Sequence, residues 1–170
     1  SQGSKNYTIS ENRFNSAFVR STTMILNPER DEDKKHNLKV LKKYSIIYYN
    51  IIKNILEAKR KKKLLYVYSE KINGSGILRC VNLLAQFFGF SIVKNSENKT
   101  SILSNPRDRL IFLNDNDIMK LIHLFNDPLN KDGDFVRVIF GTDKTTEGIT
   151  LRNIRAVSYT HLRAHETHEH

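Results

Sequence analysis

Four short apolar runs punctuate this chain, at residues 64–68 (LLYVY), 90–93 (FSIV), 110–113 (LIFL) and 136–140 (VRVIF). They are brief and rich in β-branched and aromatic residues, which reads as buried strand. Between them the apolar residues recur every three or four positions, the period of a helix with one buried face. Strands alternating with amphipathic helices imply right-handed βαβ units on a mostly parallel sheet with helices on both faces. The expected architecture is therefore three-layer α/β.

The helical stretches can be placed in more detail. Ser45 suits an N-cap, and Tyr48, Ile51, Ile52, Ile55 and Leu56 then fall on one stripe that should face the sheet. Residues 59–63 (KRKKK) end that helix, where positive charge complements the carboxyl end of the macrodipole. A solvated helix end and a phosphate contact both remain open for this run. After the turn-rich residues 69–76, a second helix should open near Ser75, bury Ile77, Leu78, Val81, Leu84, Ala85 and Phe88, and stop at Gly89. Cys80 reads there as a small core or boundary residue rather than a reactive thiol, since no His or Arg pattern beside it suggests activation. Residues 95–107 read as polar loop. A further helix, capped near Asp115 or Asn116, carries Ile118, Leu121, Ile122 and Phe125 on one side, with His123 off the stripe at the surface. Another strand should begin at residues 155–157. Residues 1–37 show no sustained period, carry Pro28 and a charged cluster, and read as a connector.

Size and charge narrow the function. The chain has 170 residues and 39% hydrophobic content, enough for one domain with a core. Lys and Arg number 28 against 18 Asp and Glu, a formal charge of +10, so the surface field should favour polyanions, whether DNA, RNA, nucleotides or anionic lipid, with a merely solvated basic surface as the alternative. The single cysteine allows no internal disulfide and suits a reducing compartment. No run approaches the roughly 18 apolar residues of a membrane-spanning helix, and no leader opens the chain. The expectation is an intracellular, cytoplasmic protein with no membrane partner. A start at Ser1 suggests a piece of something longer.

Chemistry should gather where strands end. In parallel α/β sheets, ligands bind beyond the carboxyl ends of the strands, where short hydroxyls and free backbone N–H groups can hold phosphate oxygens. Ser69 follows one strand and Thr142 another, and Asp143, Glu147 and Gly148 lie in the polar loop after the second. Generic α/β loops also contain Ser and Thr, so this pattern alone is weak. The Gly-x-x-x-x-Gly-Lys-Ser/Thr spacing that wraps a phosphate occurs nowhere in the chain, and neither does a glycine-rich dinucleotide fingerprint.

The order LLYVYSEKINGSG, an amphipathic helix, then FGTDKTTEGITLRNIRAV resembles motifs IV and V in the second RecA-like domain of superfamily 2 helicases. Upstream LKKYS, then LLAQFFGF and FND, narrow the likeness to helicase-like ATPases of large nucleocytoplasmic DNA viruses, the early transcription factor and nucleoside triphosphatase group. The likeness runs over residues 38–157. It implies a partial, C-terminally truncated RecA-like domain, with residues 1–37 leading from a missing N-terminal ATPase domain. It also implies that Ser69 and Thr142 touch the nucleic-acid backbone and that Gly148 lets the loop approach closely. Glu147 and Thr150 would face the ATP cleft. Thr150 departs from the Asp that many superfamily members place on the ATP ribose, and Glu147 from the Arg of the DEAD-box branch.

The resemblance further implies ATP and Mg²⁺ as cofactors, bound mainly by the missing domain, and DNA or RNA and possible transcription machinery as partners. A virus-derived protein would work in the viral factory or virion. With no Walker A motif and no arginine-bearing motif VI, the fragment should contain no catalytic residue and hydrolyse no ATP alone. Arg152 and Arg155 are not arginine fingers on this reading. Residues 158–170 (SYTHLRAHETHEH) shift abruptly in composition and read as a non-native read-through tail, outside the fold. Their His165 and His168 sit i,i+3 around Glu166 rather than at the i,i+4 spacing of a zincin, so no metal is expected. A reading of another class stands beside the helicase: a non-catalytic basic α/β module that binds nucleic acid or protein.

Overall fold

The computed structural model describes residues 22–69, 74–113, 117–142 and 157–162. Two helices, α1 (Asp31–Tyr44) and α2 (Ile46–Arg60), precede strand β1 (Leu64–Ser69). Helix α3 (Gly74–Phe87), strand β2 (Ser91–Ile92), the one-turn α4 (Lys99–Ile102) and strand β3 (Arg109–Phe112) follow. Helix α5 (Ile118–Phe125), a 3-10 turn at Pro128–Asn130, and strands β4 (Val138–Thr142) and β5 (Val157–Leu162) complete the order. The strands form one sheet in the order β2-β3-β4-β1-β5, and every pairing is parallel.

Alternation along the strands splits the core into two layers, because successive side chains of a strand point to opposite faces. Leu65, Val67, Leu110, Val138 and Phe140 meet α1, α2 and α3 on one face, through Leu41, Ile51, Ile52, Ile55, Val81, Leu84 and Phe87. Leu64, Tyr66, Ile111 and Ile139 meet α4 and α5 on the other, through Ile102, Leu121, Ile122 and Phe125. The arrangement is the expected three-layer α/β, consistent with a RecA-like domain.

Several elements differ from the sequence reading. The connector region ends in a helix: α1 begins at Asp31, with Asp31, Glu32 and Asp33 in its first turn and Lys42 and Lys43 in its last, a distribution that favours the macrodipole at both ends. Its buried residues are Asn37 and Leu41 alone, too few to show a period. The loop at residues 95–107 contains the single turn α4, capped by the Asn98 side chain accepting from the Thr100 N–H at 2.7 Å. Helix α5 starts at Ile118 after Asp117, slightly later than the expected cap. The last strand extends from Val157 to Leu162, into the segment expected to be a tail outside the fold, and lies parallel to β1 along its whole length. Val157, Tyr159, Thr160 and Leu162 are strand-forming residue types, which suits an edge position.

Candidate nucleic-acid interface at the carboxyl edge of the sheet

Strand direction decides which expected residues meet. Because β1 and β4 are neighbours and parallel, both end on the same edge, and Ser69 lies in register opposite Thr142. Adjacent strands run about 4.8 Å apart, so the two backbones leave the sheet side by side. The structure thus joins two positions far apart in the sequence. Asp143, Glu147, Gly148 and Thr150 lie outside the described residues, as do Arg152 and Arg155.

The glycine before Thr142 is required by packing. A Cβ on Gly141 would stand 2.5 Å from the Tyr66 hydroxyl and 3.0 Å from its ring, closer than side chains approach. Tyr66 comes from β1 and is fully buried, so the ring crosses from one strand over the backbone of its neighbour. This close approach fixes how β4 emerges at the edge.

Helix and strand ends share that edge with Thr142. Helix α2 runs back along the sheet to feed β1, so its amino end lies at the carboxyl edge, where Ser45 caps it by accepting from the Tyr48 N–H at 3.3 Å. Helix α3 leaves β1 from the same edge. The Tyr48 hydroxyl donates to the Gly76 carbonyl at 3.1 Å, tying the first turn of α2 to the first turn of α3. Gly76 itself faces open space on the side a Cβ would occupy. Helix N-termini carry partial positive charge and unsatisfied N–H groups, which suits an anionic ligand near α3.

The opposite, amino edge is built differently. An open cleft of about 570 Å³ lies there between the end of α2 and the loops at residues 106–108 and 134–137. Its charges are largely spoken for: Lys59 pairs with Asp108 at 2.7 Å and Lys62 with Asp134 at 2.8 Å, while Arg60 and Lys61 pair with Glu57 at 3.0 and 3.6 Å. Beneath them Arg137, 3% exposed, donates from Nη1 to the Lys63 and Asp132 carbonyls, both at 2.8 Å. A side chain at Gly133 (φ +74°) would collide with that guanidinium. Arg109 similarly donates from Nη1 to the carbonyls of Asn105 at 2.9 Å and Phe135 at 3.1 Å. Burial lowers the pKa of both arginines below the usual value. Arg137 feels nearby Asp108, Asp134 and Asp132 in the opposite sense. Lys59 and Lys62 therefore tie the end of α2 to the loops beneath the strands, Arg60 and Lys61 pair within α2, and the cleft lies at the far end of the strands from Ser69 and Thr142.

Other residues singled out by sequence fall in plain structural roles. Cys80 is 1% exposed in the helical layer, and burial pushes its thiol pKa far up, which leaves it in the unreactive thiol form. His123 is exposed on α5. Four buried polar residues carried no sequence signal: Arg109, Arg137, Asn37 and Asn130. Asn37 accepts from the Ile25 N–H at 2.7 Å and donates to the Phe87 carbonyl at 2.9 Å, strapping the segment before α1 to the end of α3. Among the described residues no helix is long and apolar enough to cross a membrane, and no group of three His, Cys, Asp or Glu side chains could hold a metal ion.

Comparison with known proteins adds one relative. No protein-family model matches the chain, and no solved structure matches it. Over 136 residues, 77% of this chain, the sequence is 30% identical to the protein named "Putative helicase 087L" of Invertebrate iridescent virus 3. The chain spans 13% of that protein's length. Most of this α/β chain is thus similar to one stretch of a viral protein named for helicase activity.

Proposed function

We propose that this chain is part of the second RecA-like domain of a superfamily 2 nucleic-acid-dependent ATPase. In this reading the ends of β1 and β4 hold a sugar-phosphate backbone through Ser69 and Thr142, and Gly148 admits the strand closely. Glu147 and Thr150 face a cleft closed by a second domain. That domain supplies the Walker A loop, for which this chain has no spacing, together with the Mg²⁺ ligands, none of which we assign among the described residues. ATP bound between the two domains would couple their closure to movement along DNA or RNA.

The observation that carries the reading is the register of Ser69 with Thr142 at the carboxyl edge. The similarity to the viral protein named "Putative helicase 087L" supports a helicase-like reading. Uncharged hydroxyls suit backbone contact without base preference, since phosphate contacts position a protein while base edges specify sequence. The test is nucleic-acid-stimulated ATPase of the full-length protein carrying Ser69→Ala and Thr142→Ala. Stimulation should fall and strand affinity with it. Unchanged stimulation would remove both residues from the interface. Strand binding with no ATP dependence in the full-length protein would instead favour a non-catalytic binding module.

A further inference from the structure

Four of the five cations in the most basic run of the sequence are held in ion pairs, on three carboxylates, and a less conspicuous group of lysines is not. Residues 38–56 contain Lys39, Lys42, Lys43 and Lys53 and neither Asp nor Glu. Among the described residues Lys42, Lys43 and Lys53 have no carboxylate partner, whereas Lys59, Arg60, Lys61 and Lys62 all do. Both groups belong to the α1–α2 hairpin, but at opposite ends. Helix α2 has 15 residues and so spans about 22 Å, which carries the chain from one edge of the sheet to the other.

Lys42 and Lys43 sit at the corner where α1 ends and α2 begins, and Lys53, midway along α2, is linked to it over the Tyr49 ring. The hydrogen bond from Tyr48 to Gly76 fixes this corner beside the first turn of α3, on the same edge as Ser69 and Thr142. Aromatic rings lie among the lysines. Tyr44 is 50% exposed at the last position of α1. The Tyr49 ring has Lys42 Nζ 5.3 Å and Lys53 Nζ 5.9 Å from its centroid. An exposed cation–ring contact is weak and leaves the ammonium hydrogens available to an oxygen ligand.

Resting on the helicase reading, we infer that this corner is a second contact for a single-stranded nucleic acid, with Lys42, Lys43 and Lys53 on its phosphates and Tyr44 under a base. Exposed aromatics interleaved with positive charge are how sequence-tolerant single-strand surfaces are built, because every base has a π-face and every nucleotide a phosphate. The cations at the corner are lysines, compact point charges that can hold a phosphate oxygen without fixing its orientation. A strand leaving the ends of β1 and β4 would cross the first turn of α3 and reach the corner within about one helix diameter, on the order of 10 Å. The cleft at the amino edge lies at the other end of the strands, and its Lys59 and Lys62 are already held by Asp108 and Asp134.

The test uses the 170-residue chain and a fluorescent oligothymidylate or oligouridylate, read by anisotropy over a range of salt. The double substitution Lys42→Ala with Lys43→Ala should weaken binding and make the log–log salt slope shallower by about 0.7 for each phosphate no longer neutralised. Tyr44→Ala should weaken it about tenfold, and Tyr44→Phe should restore most of the affinity, because stacking needs the ring and not the hydroxyl. Lys131→Ala, at an exposed site by the 3-10 turn, serves as control and should change nothing. Lys42, Lys43 and Tyr44 are all exposed, and thermal melts of each variant check that folding is retained. If Ser69→Ala and Thr142→Ala weaken binding while the corner variants do not, the corner contact is overturned and the helicase reading stands. If the unaltered chain binds no single strand, both are overturned. Equal competition by polyglutamate, with Tyr44→Ala neutral, would overturn the stacking contact and point to an acidic protein partner.

Discussion

At the level of single residues, two contacts decide whether the strands can sit as they do. Gly141 is held to a hydrogen by the Tyr66 ring above it. Gly141→Ala should cost about 1–3 kcal/mol by overpacking, measured by urea unfolding, and Tyr66→Phe in the same chain should recover part of it by removing the nearest oxygen. Asn130 makes four hydrogen bonds, donating to the Phe125 and Val136 carbonyls at 2.9 and 3.0 Å and accepting from the Phe135 and Val136 N–H groups at 3.1 and 2.8 Å. Asn130→Ala leaves those buried backbone groups unpaired and should destabilise the chain by about 3 kcal/mol. An unchanged unfolding midpoint would mean that water replaces the side chain. Neither residue could be ranked from sequence, because the carbonyls that Asn130 serves come together only when the turn after α5 folds against the start of β4.

Among the elements, legibility follows periodicity. Strands β1, β3 and β4 and helices α2, α3 and α5 are readable because each concentrates apolar residues at its own spacing. The burial stripe of α2 is Ile47, Ile51, Ile52, Ile55 and Ala58, a slight rotation from the expected one, which leaves Tyr48 and Leu56 half-buried. Helix α1 is not readable because its sequence is mostly charged, and α4 because one turn cannot display a period. The register of Ser69 with Thr142 is hidden for a different reason: strand order is set by crossovers, and no local pattern encodes it.

The edge strand β5 makes a prediction at this scale. Among the described residues its pairing is with β1, so deletion of residues 158–170 should expose a row of unpaired β1 backbone groups. Self-association should then rise, as read by light scattering on a sizing column. A deletion variant that stays monomeric with an unchanged melt would show that β5 contributes nothing to the sheet.

On the scale of the whole molecule, the two edges of the sheet divide the work. The amino edge is mechanical: buried guanidiniums and surface ion pairs bind α2 to the loops beneath the strands. The carboxyl edge collects strand ends and helix N-termini, and beside it lie lysines with no carboxylate partner among the described residues. Of the two basic groups on the α1–α2 hairpin, the one within residues 38–56, which contain neither Asp nor Glu, adjoins the candidate interface. The purified 170-residue chain should release no phosphate from ATP, with or without nucleic acid, in a colorimetric assay. Turnover above background would place hydrolytic machinery within this chain and sink the two-domain reading.

The pairing of Lys59 with Asp108 and Lys62 with Asp134 also bears on how strand affinity would be measured. Exposed ion pairs weaken as electrolyte is added, each by a fraction of its ~0.2–1 kcal/mol. The foot of α2 therefore loosens under the same conditions that screen phosphates at its head. An ionic-strength titration would then mix weakened phosphate binding with a freer hairpin, unless the melting temperature is followed in parallel at every buffer composition.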